Sequence, residues 1–126
     1  MDQDLSALSD DALILRLKDL VKRERLGLRQ FLRHLQLFDA RKVAEGRAYP
    51  STFIYCLREL ALSEAEAYRR IQAARVYERF PILLDYLEDG RLTLSVISIL
   101  APHLNKSNVP RLLDQAIGRS KRDVEF

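Results

Sequence analysis

Apolar residues recur at steps of three and four along the first third of the chain: Leu13, Leu17, Leu20, then Leu28, Phe31, Leu35 and Phe38. That spacing gathers them on one face of an α-helix. Ser9 ahead of Asp10 and Asp11 reads as an N-cap, with acidic residues at the positive end of the helix dipole. Lys22-Arg23-Glu24-Arg25 interrupts the stripe, and Gly27 follows. One long helix over about residues 10–44, or two helices meeting near Gly27, would both fit. No proline and no cap signal stands there, and a mid-helix glycine costs only about 1 kcal/mol relative to alanine. A single long helix, bent if anything, is the expectation.

Glu45-Gly46-Arg47-Ala48-Tyr49-Pro50 breaks the pattern, with Gly46 as a candidate left-handed cap and Pro50 blocking continuation. Ser51 then caps a short helix over about 52–60, carrying Phe53, Ile54, Leu57 and Leu60. Ser63 with Glu66 three residues on forms a capping box, and its helix runs to about Arg79, before Pro81. Further helices are expected over about 81–88, from Thr93 or Ser95 to Pro102, and from Asn105 or Ser107 to Gly118. Ser120-Lys121-Arg122-Asp123 opens another start signal, yet the chain stops at Phe126. We therefore expect a piece, or a shortened relative, of a longer protein. The fold expected over 1–126 is a single all-α domain. It is a multi-helix bundle with a long N-terminal helix and an embedded helix-turn-helix-like pair.

Composition agrees with this picture. The 126 residues suit one domain, and 48% apolar residues suffice for its core. Charged residues reach 31% with both signs mixed, and four glycines and four prolines argue against a disordered or fibrous chain. The lone Cys56 cannot form an internal disulfide. No apolar run approaches the roughly 20 residues of a membrane span. The acidic start Met1-Asp2-Gln3-Asp4 is no signal peptide, so a cytoplasmic location is expected. Net charge is +3 and the pI about 9.2. Arginine outnumbers lysine sixteen to five. Its planar fork suits phosphates and base edges, although a GC-rich genome would produce the same bias.

Candidate catalytic chemistry is sparse. His34 and His103 lie far apart, with no cysteine or carboxylate at metal-ligand spacing. His34 reads as a surface or interface residue, and His103, behind Pro102, as a helix-end residue able to reach last-turn carbonyls. Cys56 reads as a small buried apolar residue. No Gly-rich phosphate loop or nucleophile elbow is present. We expect no enzyme, no metal, no cofactor and no small-molecule substrate.

Residues 52–79 carry the informative constellation: helix, short turn at Leu60-Ala61-Leu62-Ser63, then a capped helix. This is a helix-turn-helix layout with residues 63–79 as recognition helix. Ala67, Ile71 and Ala74 would pack inward. Tyr68, Gln72, Arg75 and Arg79, with Arg69 beside them, would face double-stranded DNA through base edges and phosphates. Any solvated face in an arginine-rich chain would look similar, and Glu64 and Glu66 put negative charge near the reading end. The basic Arg119, Lys121 and Arg122 could touch phosphates as well. DNA binding is thus the expected function, and the alternative is an interaction domain. The stripe of Leu13, Leu17, Leu20, Leu28, Phe31, Leu35 and Phe38 is near heptad spacing, so it could form a homodimer interface or a protein-interaction surface. It could also pack on the chain's own later helices; the two are compatible.

Three stretches together suggest a family: Tyr55-Cys56-Leu57-Arg58-Glu59-Leu60 with Leu62-Ser63-Glu64-Ala65-Glu66-Ala67-Tyr68-Arg69-Arg70-Ile71, then Phe80-Pro81 leading to Asp89-Gly90-Arg91-Leu92-Thr93-Leu94-Ser95, then Leu100-Ala101-Pro102-His103-Leu104. They resemble the helical region ahead of the nuclease domain in bacterial HNH endonuclease-like proteins, and Ser120 to Glu125 also matches. The resemblance covers about Leu8 to Glu125. It implies a helical scaffold that engages DNA or assembles the protein. The His-Asn-His metal motif of that family lies C-terminal to this region and has no counterpart in the chain, so DNA cleavage is not implied.

Overall fold

A computed structural model describes residues 4–119 and Val124. Among the described residues every regular element is helical: α1 (Asp10–Ala40), α2 (Val43–Gly46), α3 (Thr52–Arg58), α4 (Glu64–Arg79), α5 (Ile82–Glu88), α6 (Leu94–Leu100), a 3-10 turn (Ala101–His103) and α7 (Val109–Ala116). No helix among them is long and apolar enough to cross a membrane.

The helix starts follow local chemistry. The hydroxyls of Ser9, Ser51, Ser63 and Thr93 each accept a hydrogen bond from the backbone N–H three residues on. Each satisfies one of the donors a helix leaves orphaned at its first turn. The expected capping box at Ser63 is only half formed, because the Glu66 carboxylate is held 2.6 Å from Arg70 Nε one turn along. The start of α7 also differs from expectation. Asn108 precedes it without a side-chain cap, while the Asn105 carboxamide oxygen accepts from the N–H groups of Ser107 and Asn108 in an Asx turn.

The first helix is continuous through Gly27, which has open space around it. It stops at Ala40, short of the expected end. Lys42 enters the left-handed region at φ 52°, and α2 follows as a separate turn. Gly46 does not cap: it is the last residue of α2, and Ala48 at φ 67° completes the reversal. Gly90 at φ +80° and Gly118 at φ +74° do take the left-handed role that glycine accepts without a Cβ penalty.

The core is organised around α4, which touches α1, α3, α5, α6 and the 3-10 turn. Ala67, Ile71, Ala73, Ala74 and Val76 of α4 are all buried. The small alanines let neighbouring helices approach closely, and Leu32, Leu83, Ile97 and Leu113 fill the remaining space as fully buried side chains. Cys56 is buried among them as a free thiol, and burial pushes its pKa up.

Candidate interaction surfaces

α1 divides into two parts with different surroundings. In the second half Leu32 and Leu35 are buried, and Leu28, Phe31 and Phe38 pack half-buried against the core. In the first half every residue from Asp10 to Glu24 except Ala12 is exposed. Leu13, Ile14, Leu17, Leu20 and Val21 are 36%, 50%, 62%, 52% and 40% exposed, so the described residues leave this face of the helix open. This arm extends about 22 Å at about 1.5 Å per residue. The expected dimer stripe is therefore split. Leu28, Phe31, Leu35 and Phe38 serve the chain's own core, and Leu13, Leu17 and Leu20 are uncovered. Ile14 and Val21, which sequence reading missed, complete the exposed row. Both sit a whole number of heptads from Leu28 and Leu35, so the arm's apolar face continues the core-facing one.

The division falls at Arg25. Its guanidinium lies over Gly90, with Cζ 2.5 Å from where a Cβ would stand. One turn on, Arg29 Nη1 donates to Asp85 Oδ1 at 2.8 Å and lies 3.4 Å from Glu88 Oε2. These contacts pin α1 to α5, and the arm overhangs beyond them. Leu15 and Leu26 are exposed on the far side of the helix.

The helix-turn-helix pair is present as α3 and α4. The connecting turn is held by Leu62 N–H donating to the Cys56 carbonyl and by Ala61 at φ 54°. Ala67, Ile71 and Ala74 are buried as expected. The five expected DNA-contact residues are not equivalent. Tyr68 is 59% exposed and Arg79 is exposed, its guanidinium 4.9 Å from the Phe80 ring centroid. Arg69 is half-buried. Arg75 makes two hydrogen bonds to Asp39 of α1, Nε to Oδ2 at 2.8 Å and Nη2 to Oδ1 at 3.1 Å. Gln72 is half-buried, and its Oε1 has no hydrogen-bond partner among the described residues. Tyr68, Gln72 and Arg75 line a groove of about 640 Å³ between α3 and α4, with Ser51 and Phe53 opposite.

The Asp39 cluster that engages Arg75 is structural in character. The buried Thr52 hydroxyl donates to Asp39 Oδ1 at 2.7 Å, so one carboxylate ties α1, α3 and α4 together. Arg75 foremost, then Thr52, holds the Asp39 carboxyl below the usual carboxylate range, against the opposing effect of burial. Sequence reading could not find this pairing, because Asp39 and Arg75 lie on separate helices.

A second groove, of about 440 Å³, lies between α1, α2 and α3 and is lined by Phe31, His34, Leu35, Phe38, Val43, Tyr55 and Leu60. Its floor is aromatic, with Phe38 and Tyr55 ring centroids 4.7 Å apart. His34 stands at its rim, exposed, with Nδ1 2.6 Å from the Gln30 carbonyl. His103 is exposed too, and its backbone carbonyl accepts from Asn108 Nδ2 at 2.8 Å. Among the described residues no three His, Cys, Asp or Glu side chains gather to hold a metal ion. Lys121 and Arg122 lie outside the described residues; Arg119 is exposed.

No protein family, curated protein or solved structure matches the chain. The likeness to the helical region of HNH endonuclease-like proteins accordingly rests on the motif residues alone.

Proposed function

We propose that this chain is an assembly module, in which the helical bundle is a rigid mount and the α1 arm docks an amphipathic helix. The observation carrying this reading is the exposed row Leu13, Ile14, Leu17, Leu20 and Val21 on one continuous helix face. Single exposed leucines are ordinary on protein surfaces. Five in register on one helix, with none of the other described residues covering them, form the kind of contiguous apolar patch that marks an interaction site. The arm is held in helical form by the bundle, so a partner meets it already ordered and the entropic cost of binding is reduced.

The test is site-specific photo-crosslinking in cells, with adducts identified by mass spectrometry. A photoreactive residue at position 17 should give a defined adduct. The same residue at position 15, on the opposite side of the arm, should not. Equal labelling from both positions, or none from either, contradicts the proposal.

DNA contact by α4 is the second reading. It is favoured by the α3–turn–α4 pair with Tyr68, Arg69 and Arg79 at its surface and the orphaned Gln72 Oε1 in the adjacent groove. Against it stand the engagement of Arg75 by Asp39 and the exposed Glu64 and Glu78 on the same helix. Fluorescence anisotropy with a random duplex decides: affinity falling steeply with salt supports phosphate contacts. No binding at low salt removes the reading.

A further inference from the structure

We infer that the occupant of the α1 arm is the arm of a second copy of this chain, laid antiparallel about a two-fold axis close to Leu17. The inference rests on the docking reading above and adds the partner, its direction and its register.

Direction follows from continuity of the apolar face. From Leu28 onward that face is covered by the chain's own bundle. A parallel partner helix, running beside the arm and onward, would be driven into that bundle. An antiparallel partner runs the other way and clears it. The overhang is thus a notch about 22 Å long at about 1.5 Å per residue. Its inner wall is the Arg25–Gly90 contact, and a helix of the arm's own length fits it.

Charge selects the same arrangement. The arm begins with Asp10 and Asp11 and ends with Lys22, Arg23, Glu24 and Arg25, three cations against one carboxylate. Antiparallel pairing about Leu17 brings Asp11 of each arm level with Arg23 of the other, a cation that also pairs with Asp19 of its own arm. It sets Asp10 level with Glu24 between Arg23 and Arg25, so the facing ends carry opposite net charge twice over by symmetry. A parallel pair would set like ends together. The same operation places Leu13 level with Val21 of the partner, Ile14 level with Leu20, and Leu17 on itself. An isologous two-fold contact needs such self-complementarity, and this stripe has it about its midpoint. The paired acidic ends also lie at helix N-termini, where the dipole favours them.

Two measurements on the purified full chain test the inference. Sedimentation equilibrium should show a monomer–dimer equilibrium in the micromolar range. Leu17→Asp should raise the dissociation constant by about tenfold or more, since it puts a carboxylate on the axis. Leu15→Asp, an equal charge on the opposite side of the arm, should leave it unchanged. For direction, chains carrying Leu13→Cys and Val21→Cys are mixed and oxidised, the native Cys56 being buried. Disulfides joining position 13 to position 21 should predominate. A chain that stays monomeric at high micromolar concentration overturns the inference, as do 13–13 and 21–21 disulfides in excess. If the chain is monomeric yet position 17 still crosslinks in cells to a different protein, self-pairing fails while the docking reading stands. Monomer and no adduct means that both fail.

Discussion

Leu17 and Leu32 sit on the same face of the same helix, and their replacement by alanine should have very different consequences. Leu32 is fully buried at the junction of α1 with the core, whereas Leu17 is 62% exposed on the arm. Removing the Leu32 side chain forfeits its transfer free energy and leaves a cavity that the packed alanines of α4 cannot close. The expected loss is about 3 kcal/mol. For a domain of this size that is roughly 10–15 °C in Tm. Leu17→Ala removes a side chain that the folded monomer does not use, so the loss should be within about 0.5 kcal/mol. Urea unfolding followed by circular dichroism, at protein concentrations low enough to keep the chain monomeric, measures both. At high concentration Leu17→Ala should lose stability relative to wild type, because only the native arm gains from association. A loss above about 1.5 kcal/mol for Leu17→Ala at low concentration would mean that the arm packs within the monomer, and the docking account would fail.

Other consequences follow from single contacts. Asp39 has a depressed pKa, so its contribution is present above the unfolded carboxyl value of 3.8 and is lost as pH falls through the folded one. Asp39→Asn should cost about 1 kcal/mol at neutral pH, a modest figure because Arg75 is largely solvated. It should also flatten the acid limb of a stability-versus-pH curve below about pH 4; a parallel shift of the whole curve would refute the linkage. Gly90→Ala should destabilise by about 1 kcal/mol through its positive φ and by displacing Arg25. Ala61→Gly, relieving φ 54° in the α3–α4 turn, should be neutral or stabilise by up to about 1 kcal/mol; in thermal melts Gly90→Ala should lower Tm and Ala61→Gly should not, and a lowered Tm for Ala61→Gly would refute the backbone argument. Cys56 should react with a thiol reagent only as fast as the bundle opens, and rapid labelling of the native chain would contradict its burial.

Much of the fold was legible because helix signals are local. Serine and threonine caps and the three-and-four step of leucines act within a few residues. The ends of α1 were less so. Gly46 looked like the reversal, yet the chain turns at Lys42 and Ala48, where tertiary packing outweighs the penalty for positive φ. The long stripe was visible, but not where its coverage ends. Periodicity reports which face is apolar; only the position of α5, fixed through Arg25 and Arg29, says how far the bundle reaches. The candidate DNA face shows the same limit. Arg75 has the spacing of a contact residue, and the carboxylate that engages it lies on another helix. Ile14 and Val21 could have been found by extending the heptad frame of Leu28 and Leu35 backward.

The central claim, that the arm is an uncovered docking face and the rest of α1 a structural one, is tested most directly by amide hydrogen exchange along α1 as a function of protein concentration. The account predicts slow exchange over 28–40 at every concentration. Over 10–24 it predicts a formed helix that exchanges faster than 28–40 in dilute solution, because no tertiary packing adds to its own hydrogen bonds, and protection that rises as arms pair. Equal protection of both halves in dilute monomer would contradict it; an arm that stays unprotected at the highest concentration would contradict self-pairing.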